Sequence, residues 1–313
     1  MYDLIIIGAS AAGISASIYA ARRRLNFKII TADIGGEVAT SGEIENWPGV
    51  IHTNGIDLAD QFRKHAEANK VVIESDKWVG DIKPARPAGG KEGNIFVVSG
   101  KNSGGSVFEE KAKTVLVATG VHPRQLTIPG EKEFKNKGVS YCTVCDGPLF
   151  GGQAVAVVGG GNSALESAIM LADIASCVYV INKNAYFKGE KVLIDKVSKN
   201  SKVEIIYEAK TQNILGDNFV NALEYQDKSD QMHKLNVKGI FVHIGQIPNS
   251  GFIPGIELDE VKQIKVNMRG ETNMPGLYAA GDVTNIPYKQ IVIAAGQGVA
   301  ALLSVVDYLN RNH

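Results

Sequence analysis

Cysteine is scarce in this chain of 313 residues: there are three, too few for the disulfide framework that holds small secreted domains together. Net charge is missing too. Thirty-three Lys plus Arg balance thirty-three Asp plus Glu, so no broad basic field exists to hold nucleic acid or an anionic lipid surface. Apolar runs such as Ala154 to Val158 and Ile291 to Ala295 stop short of the roughly 20 residues that cross a bilayer, and no membrane segment is expected. The chain opens on an apolar strand where a secretory leader would carry a basic lead and a cleavage site, so a cytoplasmic location is the simplest expectation.

What is abundant is glycine, 34 residues or about 11% against a usual ~7%, with no collagen period, which points to tight turns and close backbone approaches. The length suggests roughly two domains, and 44% hydrophobic content suffices for two buried cores. Leu4 to Ile7 is an all-apolar run that enters Gly8-Ala9-Ser10-Ala11-Ala12-Gly13, a helical pattern through Arg24 and a second apolar run, Phe27 to Ile30. That is a strand, a tight turn, a helix and a strand. The same order returns at Ala154 to Val158, Gly159-Gly160-Gly161-Asn162-Ser163-Ala164, a helix to about Ala175 and the strand Val178 to Ile181. The predicted class is therefore α/β, with two Rossmann-like, three-layer dinucleotide-binding domains.

Lys113 to Gly120 and Gly239 to Gly245, each a strand running into a glycine, mark the two crossings between the domains. The second domain, 117–248, is then inserted into the first, 1–116 and 249–313, which ends with the helix Ile291 to Leu309. Pro84 to Ser106 reads as hairpin loops around a strand at Ile95 to Val98. Leu58, Phe62 and Ala66 keep helical spacing and are expected to pack.

A glycine turn between strand and helix lets backbone N–H groups at the helix N-terminus meet a pyrophosphate. Asp33 lies 20 residues after Gly13, where an acid on the ribose is expected; a loop acid before Gly35-Gly36 explains it equally well. Between the two glycine turns stands Tyr141-Cys142-Thr143-Val144-Cys145-Asp146-Gly147. Two thiols at this spacing close as a disulfide or clamp a metal, but a tetrahedral zinc needs two more ligands. Cys177 stands alone, reading as a packed free thiol, and the six histidines show no paired spacing. No metal is expected, and a redox pair beside two dinucleotide sites implies an electron relay from nicotinamide to flavin to disulfide. Asp146 is placed either to protonate a leaving thiolate or to cap a helix. His243 either approaches the nicotinamide or is satisfied at a strand end, the plainer reading. Arg22-Arg23-Arg24 reads as a solvated helix end.

The sequence resembles the low-molecular-weight thioredoxin reductases and the reductase portion of the alkyl hydroperoxide reductase flavoprotein, almost end to end. The resemblance rests on Gly8 to Gly13, Gly35-Gly36-Glu37, Glu43 to Gly49, Ala118-Thr119-Gly120, Cys142 to Gly147, Gly159 to Ala164, Ala279 to Val283 and Tyr288 to Ile291. It implies FAD, with its pyrophosphate on Gly8, Ser10, Ala11, Ala12 and Gly13, and its flavin lined by Gly36, Glu37, Thr40 and Asn46. Ala118, Thr119 and Gly120 would close the adenine side. Gly281 and Asp282 would meet the ribityl chain, and Lys289, Gln290 and Ile291 the isoalloxazine edge. It further implies catalysis by Cys142, Cys145 and Asp146, with the Cys145 thiolate against the flavin and Cys142 attacking the disulfide of a thioredoxin-like protein. A homodimer and a rotating inserted domain belong to the same implication.

Two positions depart from the family pattern. Glu37 stands where the family usually has Gln. After the second strand the family carries His-Arg-Arg-x-x-x-Arg for the 2′-phosphate of NADPH; this chain has Asn182-Lys183-Asn184-Ala185-Tyr186-Phe187-Lys188. Lys183 and Lys188 keep two charges but lose the bidentate fork, and losing two such contacts weakens NADPH roughly a hundredfold or more. No acid replaces the arginines, so neither NADPH nor NADH is favoured, while Gly160, Gly161, Asn162 and Ser163 still argue for a nicotinamide dinucleotide. The leading reading is an FAD-dependent reductase of a thioredoxin-like disulfide. The alternatives are an FAD dithiol oxidase, a ferredoxin-fed reductase and a non-enzymatic redox-sensing flavoprotein.

Overall fold

A computed structural model of the protein describes residues 1–41, 43–85 and 95–312. They form two compact units, one of Met1–Thr40, Ile44–His122 and Ile247–His313, the other of Ser41–Glu43 and Pro123–Gln246.

In the first unit β1 (Tyr2–Ala9) leads through α1 (Ala11–Arg22) to β2 (Phe27–Ile34). The short strands β3 (Glu43–Ile44) and β4 (Thr53–Asn54) precede α2 (Gly55–Ala68), and then come β5 (Ile73–Glu74), β6 (Lys77–Ala85), β7 (Ile95–Asn102) and β8 (Val107–Val117). β6 and β7 pair antiparallel as the expected hairpin, whose residues 86–94 lie outside the described ones. β5, β2, β1 and β8 lie side by side in parallel. β7 pairs with the first half of β8 and the late strand β19 (Leu277–Ala279) with its second half.

β1 is apolar along its middle because both of its faces are covered, as expected of a parallel sheet. Leu4 and Ile6 turn to one side, packing with Ile14 of α1 and with Leu302 and Val305 of the last helix, α6 (Ile291–Arg311). Ile5 and Ile7 turn to the other, with Phe96, Val98, Val115 and Leu277. By length and composition α6 is apolar enough to cross a bilayer, which the short apolar runs did not suggest. Its buried side carries Ala294, Gly298, Ala301, Leu302, Ser304, Val305 and Leu309.

The chain leaves this unit through β9 (Val121–Pro123) and re-enters through β18 (Gln246–Pro248), which pair as a two-stranded ribbon. Residue 116, the expected boundary, falls inside β8, whose pairing with β1 runs through Val117.

The second unit holds β10 (Val139–Ser140), α3 (Thr143–Asp146), β11 (Ala154–Val158), α4 (Asn162–Ile174), β12 (Cys177–Asn182), α5 (Lys191–Lys199) and β13 (Val203–Tyr207). The meander β14 (Lys210–Gly216), β15 (Val220–Gln226) and β16 (Met232–Leu235) follows, then β17 (Gly239–Val242). The order β10-β17-β11-β12-β13 is parallel throughout. Val155 and Val157 pack with Leu165, Ala168 and Leu171 of α4, while Ala156 and Val158 face Ile214 and Leu223 of the meander. α1 stops at Arg22, with Arg24 in the left-handed region at φ 55°, two residues before the expected end. Cys177 opens β12 as a half-buried free thiol.

α6 lies so close to α1 that a Cβ on Gly298 would stand 2.1 Å from Ala12 O, whereas one on Gly296 would meet nothing within 4 Å. Gly298→Ala is expected to destabilise the protein by about 1–3 kcal/mol through overpacking. Gly296→Ala, in an exposed helical position, should stabilise by about 0.5–1 kcal/mol. Denaturant unfolding of both variants checks the pair.

Candidate functional site

In the first unit the candidate residues gather at the carboxyl ends of β1, β2, β8 and β19, where open parallel sheets bind ligands. Gly8 takes φ 107°, and a Cβ there would lie 2.3 Å from Ala118 O; one on Gly13 would lie 1.9 Å from Gly8 O. Only glycine allows strand, turn and helix to approach this closely. Ser10 is the N-cap of α1 but makes no capping bond; its hydroxyl donates to Gly35 O at 2.6 Å. No acid stands in the first turn, so the end of α1 is left to an anion.

Asp33 Oδ1 accepts the Gly36 N–H at 3.0 Å. Thr40 donates to both Glu37 O and Glu37 Oε2 at 3.2 Å. Asn46 Nδ2 donates to Gln290 Oε1 at 3.2 Å, joining two expected flavin residues 244 positions apart. Thr119 and Asn249 interlock, the hydroxyl donating to Asn249 O at 2.7 Å and Asn249 Nδ2 to Thr119 O at 2.8 Å.

Asp282 is different. It follows β19, half-buried, and no group among the described residues hydrogen-bonds its carboxyl. Burial pushes its pKa up to about 6, with Lys289 pulling down and Glu37 pushing up. Lys289 Nζ is occupied by Thr284 O and Ile286 O at 2.6 and 2.7 Å, and burial holds its pKa below the usual lysine value. Gln297, which sequence reasoning did not single out, accepts the Gly281 N–H at 2.8 Å and so fixes the turn before Asp282. Ile291 opens α6, whose first turn has neither a side-chain cap nor an acid. A half-buried carboxyl without a protein partner between two uncapped helix ends fits a ligand with hydroxyls and a pyrophosphate, the chemistry of FAD.

In the second unit the turn repeats. A Cβ on Gly159, at φ 152°, would lie 2.2 Å from His243 O, and one on Gly160 2.5 Å from Asn182 Oδ1. α4 begins after Gly161 with no side-chain cap and no acid in its first turn. Asn182 is buried and organises the segment after β12: its Nδ2 donates to Tyr186 O at 2.9 Å and its Oδ1 accepts the Asn184 N–H at 3.0 Å. The Lys188 N–H returns to Gly160 O at 2.8 Å. Lys183 and Lys188 are exposed, with no acidic partner among the described residues. Asn162 exchanges two hydrogen bonds with Glu190 across the helix start, and Ser163 is exposed beside it.

Cys142 and Cys145 form a disulfide with Cα atoms 5.4 Å apart. Cys142 is the N-cap of α3, and the Cys145 N–H donates to its sulfur at 3.2 Å. Asp146 is not a cap: the turn it precedes has no side-chain cap bond, and its Oδ2 accepts from Ser140 at 2.6 Å instead. Ser140 also accepts the Cys142 N–H at 3.1 Å. Nothing in the sequence pattern marks Ser140, because its role depends on a turn that folds residue 146 back over it. His243, just past β17, is satisfied within the unit by Thr143.

Residues 2–298 match the pyridine nucleotide-disulphide oxidoreductase family, and the chain belongs to it. Within that class it is similar to the thioredoxin reductase of Streptococcus pyogenes, 34% identical with a TM-score of 0.88 and 99% of each chain covered. It is 41% identical to the F subunit of alkyl hydroperoxide reductase from Pseudomonas aeruginosa and 39% to a Bacillus subtilis protein named NADH dehydrogenase, over 99% of this chain in both cases. It spans 58% and 59% of those two proteins. The expected α/β fold with two Rossmann-like domains agrees with these structures, as does the resemblance read from the motifs.

Asp282 carries a pH signature. A carboxyl whose folded pKa, about 6, lies above its value of 3.8 in the unfolded chain stabilises the fold fully below 3.8, and that contribution is lost as pH rises through 6. In protein stripped of nucleotide, Asp282→Asn is expected to add about 2–3 kcal/mol at pH 8 and almost nothing at pH 3.5, as read by denaturant unfolding at the two pH values.

Proposed function

We propose that this protein is an FAD-dependent disulfide reductase that passes electrons from a nicotinamide dinucleotide through its Cys142–Cys145 pair to the disulfide of a thioredoxin-like protein. The observation that carries this reading is the closed Cys142–Cys145 bridge, with Asp146 beside it, in a chain with two glycine-turn dinucleotide units. In the first unit Gly8, Ser10, Ala11, Ala12 and Gly13 hold the FAD pyrophosphate, and Asp282 accepts a ribityl hydroxyl. Gly36, Glu37, Thr40, Asn46, Gln290 and Ile291 line the ring, with Ala118, Thr119 and Gly120 at the adenine end. FAD supplies the two-electron relay between nicotinamide and disulfide.

The chain's own residues do the rest. The disulfide takes two electrons and two protons and opens to two thiols. The Cys142 sulfur, which holds the Cys145 N–H, is stabilised as a thiolate and attacks the partner's disulfide. Cys145 then attacks the mixed disulfide, closing the bridge and releasing the partner as a dithiol. Asp146, held by Ser140, delivers the proton to the leaving sulfur. Val144, between the cysteines, and Leu149 are exposed, offering apolar contact to a protein partner. The activity fits a cytoplasmic homodimer.

For the donor, Lys183 and Lys188 give the 2′-phosphate of NADPH two point charges, while the chain's likeness to a protein named NADH dehydrogenase supports NADH. The exposed lysines confer tolerance of both. Anaerobic titration of the flavin-loaded protein with NADH and with NADPH tests this; bleaching by either within seconds is expected, and bleaching by neither at millimolar concentration defeats the nicotinamide reading. Lys183→Ala with Lys188→Ala should weaken NADPH by roughly tenfold or more, measured as KM, and leave NADH within about twofold. Cys145→Ser should keep flavin bleaching and abolish reduction of a thioredoxin disulfide.

A further inference from the structure

Thr143 lies between the two redox cysteines and is itself buried. Its hydroxyl stands 2.8 Å from His243 Nε2 and 2.5 Å from Ser167 Oγ. Ser167 is a buried residue of α4, the helix that begins at the second glycine turn. His243 belongs to the same turn from the other side, since its N–H donates to Val158 O at 2.8 Å and its carbonyl fills the space a Cβ on Gly159 would need. One hydroxyl thus links the cysteine turn to both walls of the dinucleotide turn.

α3 is four residues long, and a single turn has almost no stability of its own. Its orientation therefore comes from tertiary anchors. Ser140 holds its two ends, through the Cys142 N–H and the Asp146 carboxyl. The middle is held through Thr143. Burial pushes the His243 imidazole down to about 4, so it is neutral at neutral pH, with one donor and one acceptor nitrogen. A neutral ring and two hydroxyls can satisfy one another with no buried charge.

We propose that His243 is a positioning residue for the Cys142–Cys145 pair, acting through Thr143 to hold α3 where the Cys145 N–H reaches the Cys142 sulfur. That hydrogen bond stabilises the sulfur most when it is a thiolate, so it favours the reduced pair. Loosening the anchor shifts the equilibrium toward the disulfide. The inference rests on the redox reading of the pair.

The test equilibrates the purified protein anaerobically with stepped ratios of reduced and oxidised dithiothreitol. Each turnover moves two electrons and two protons from dithiothreitol, which closes to its cyclic disulfide, to Cys142–Cys145, which opens to two thiols. A maleimide quench in denaturant then counts thiols by mass, with Cys177 modified in both states. His243→Ala and Thr143→Val are each expected to shift the dithiol-to-disulfide ratio at fixed buffer by about threefold or more toward disulfide, the size a lost hydrogen bond carries. His243→Gln keeps an acceptor and a donor and is expected to lie within about twofold of the parent, well inside the loss of a full hydrogen bond. Ratios for the alanine and valine variants equal to that of the parent overturn the proposal, as does a glutamine variant shifted as far as alanine. Should one variant fail to fold, the other decides. A parent protein that stays disulfide-bonded at every ratio defeats the redox function itself, a different outcome from unchanged variants.

Discussion

In each unit the central strand ends hard against the backbone of a neighbouring strand's exit, with Gly8 beneath Ala118 O and Gly159 beneath His243 O. No side chain fits in either place, and both glycines adopt backbone angles that L-residues rarely take. This approach lets the chain turn from strand to helix within a few residues and brings the first amides of α1 and α4 to the carboxyl edge of a parallel sheet. Both dinucleotide sites follow from that single steric constraint, and the last helix of the first unit obeys the same rule where Gly298 meets Ala12.

Around these turns most polar side chains serve the scaffold. Ser10 reaches Gly35, Asp33 holds Gly36, Thr119 locks with Asn249, and Asn182 is folded into its own loop. Each satisfies a backbone group of the turns. Among the described residues the Asp282 carboxyl in the first unit and the Lys183 and Lys188 ammonium groups in the second make no internal hydrogen bond or ion pair. Their charges suit, respectively, ligand hydroxyls and ligand phosphates. The redox pair lies between these extremes. Its disulfide is half-exposed, while Ser140, Thr143, Ser167 and His243 form a hydrogen-bonded polar support beside it.

The duplicated strand-turn-helix grammar, the two-residue cysteine spacing and the apolar run of β1 could be read along the chain, because each arises from neighbours within a few positions. So could the near-bounds of α1, β2, α4 and α6, though the sequence pattern stopped β2 early at Ile30 and carried α1 two residues too far. The sequence leaves Asp146 and His243 without contacts, whereas the structure bonds Asp146 to Ser140 and sets the His243 ring on Thr143. Thus local periodicity and spacing determined the class, the two turns and the pair of thiols that closes as a disulfide. Only the tertiary structure decided which polar groups meet: Asp146 with Ser140, His243 with Thr143, and Asn46 with Gln290. Those assignments join residues up to 244 positions apart, and hydrogen-bond partnership depends on distance in space, which no pattern along the chain encodes.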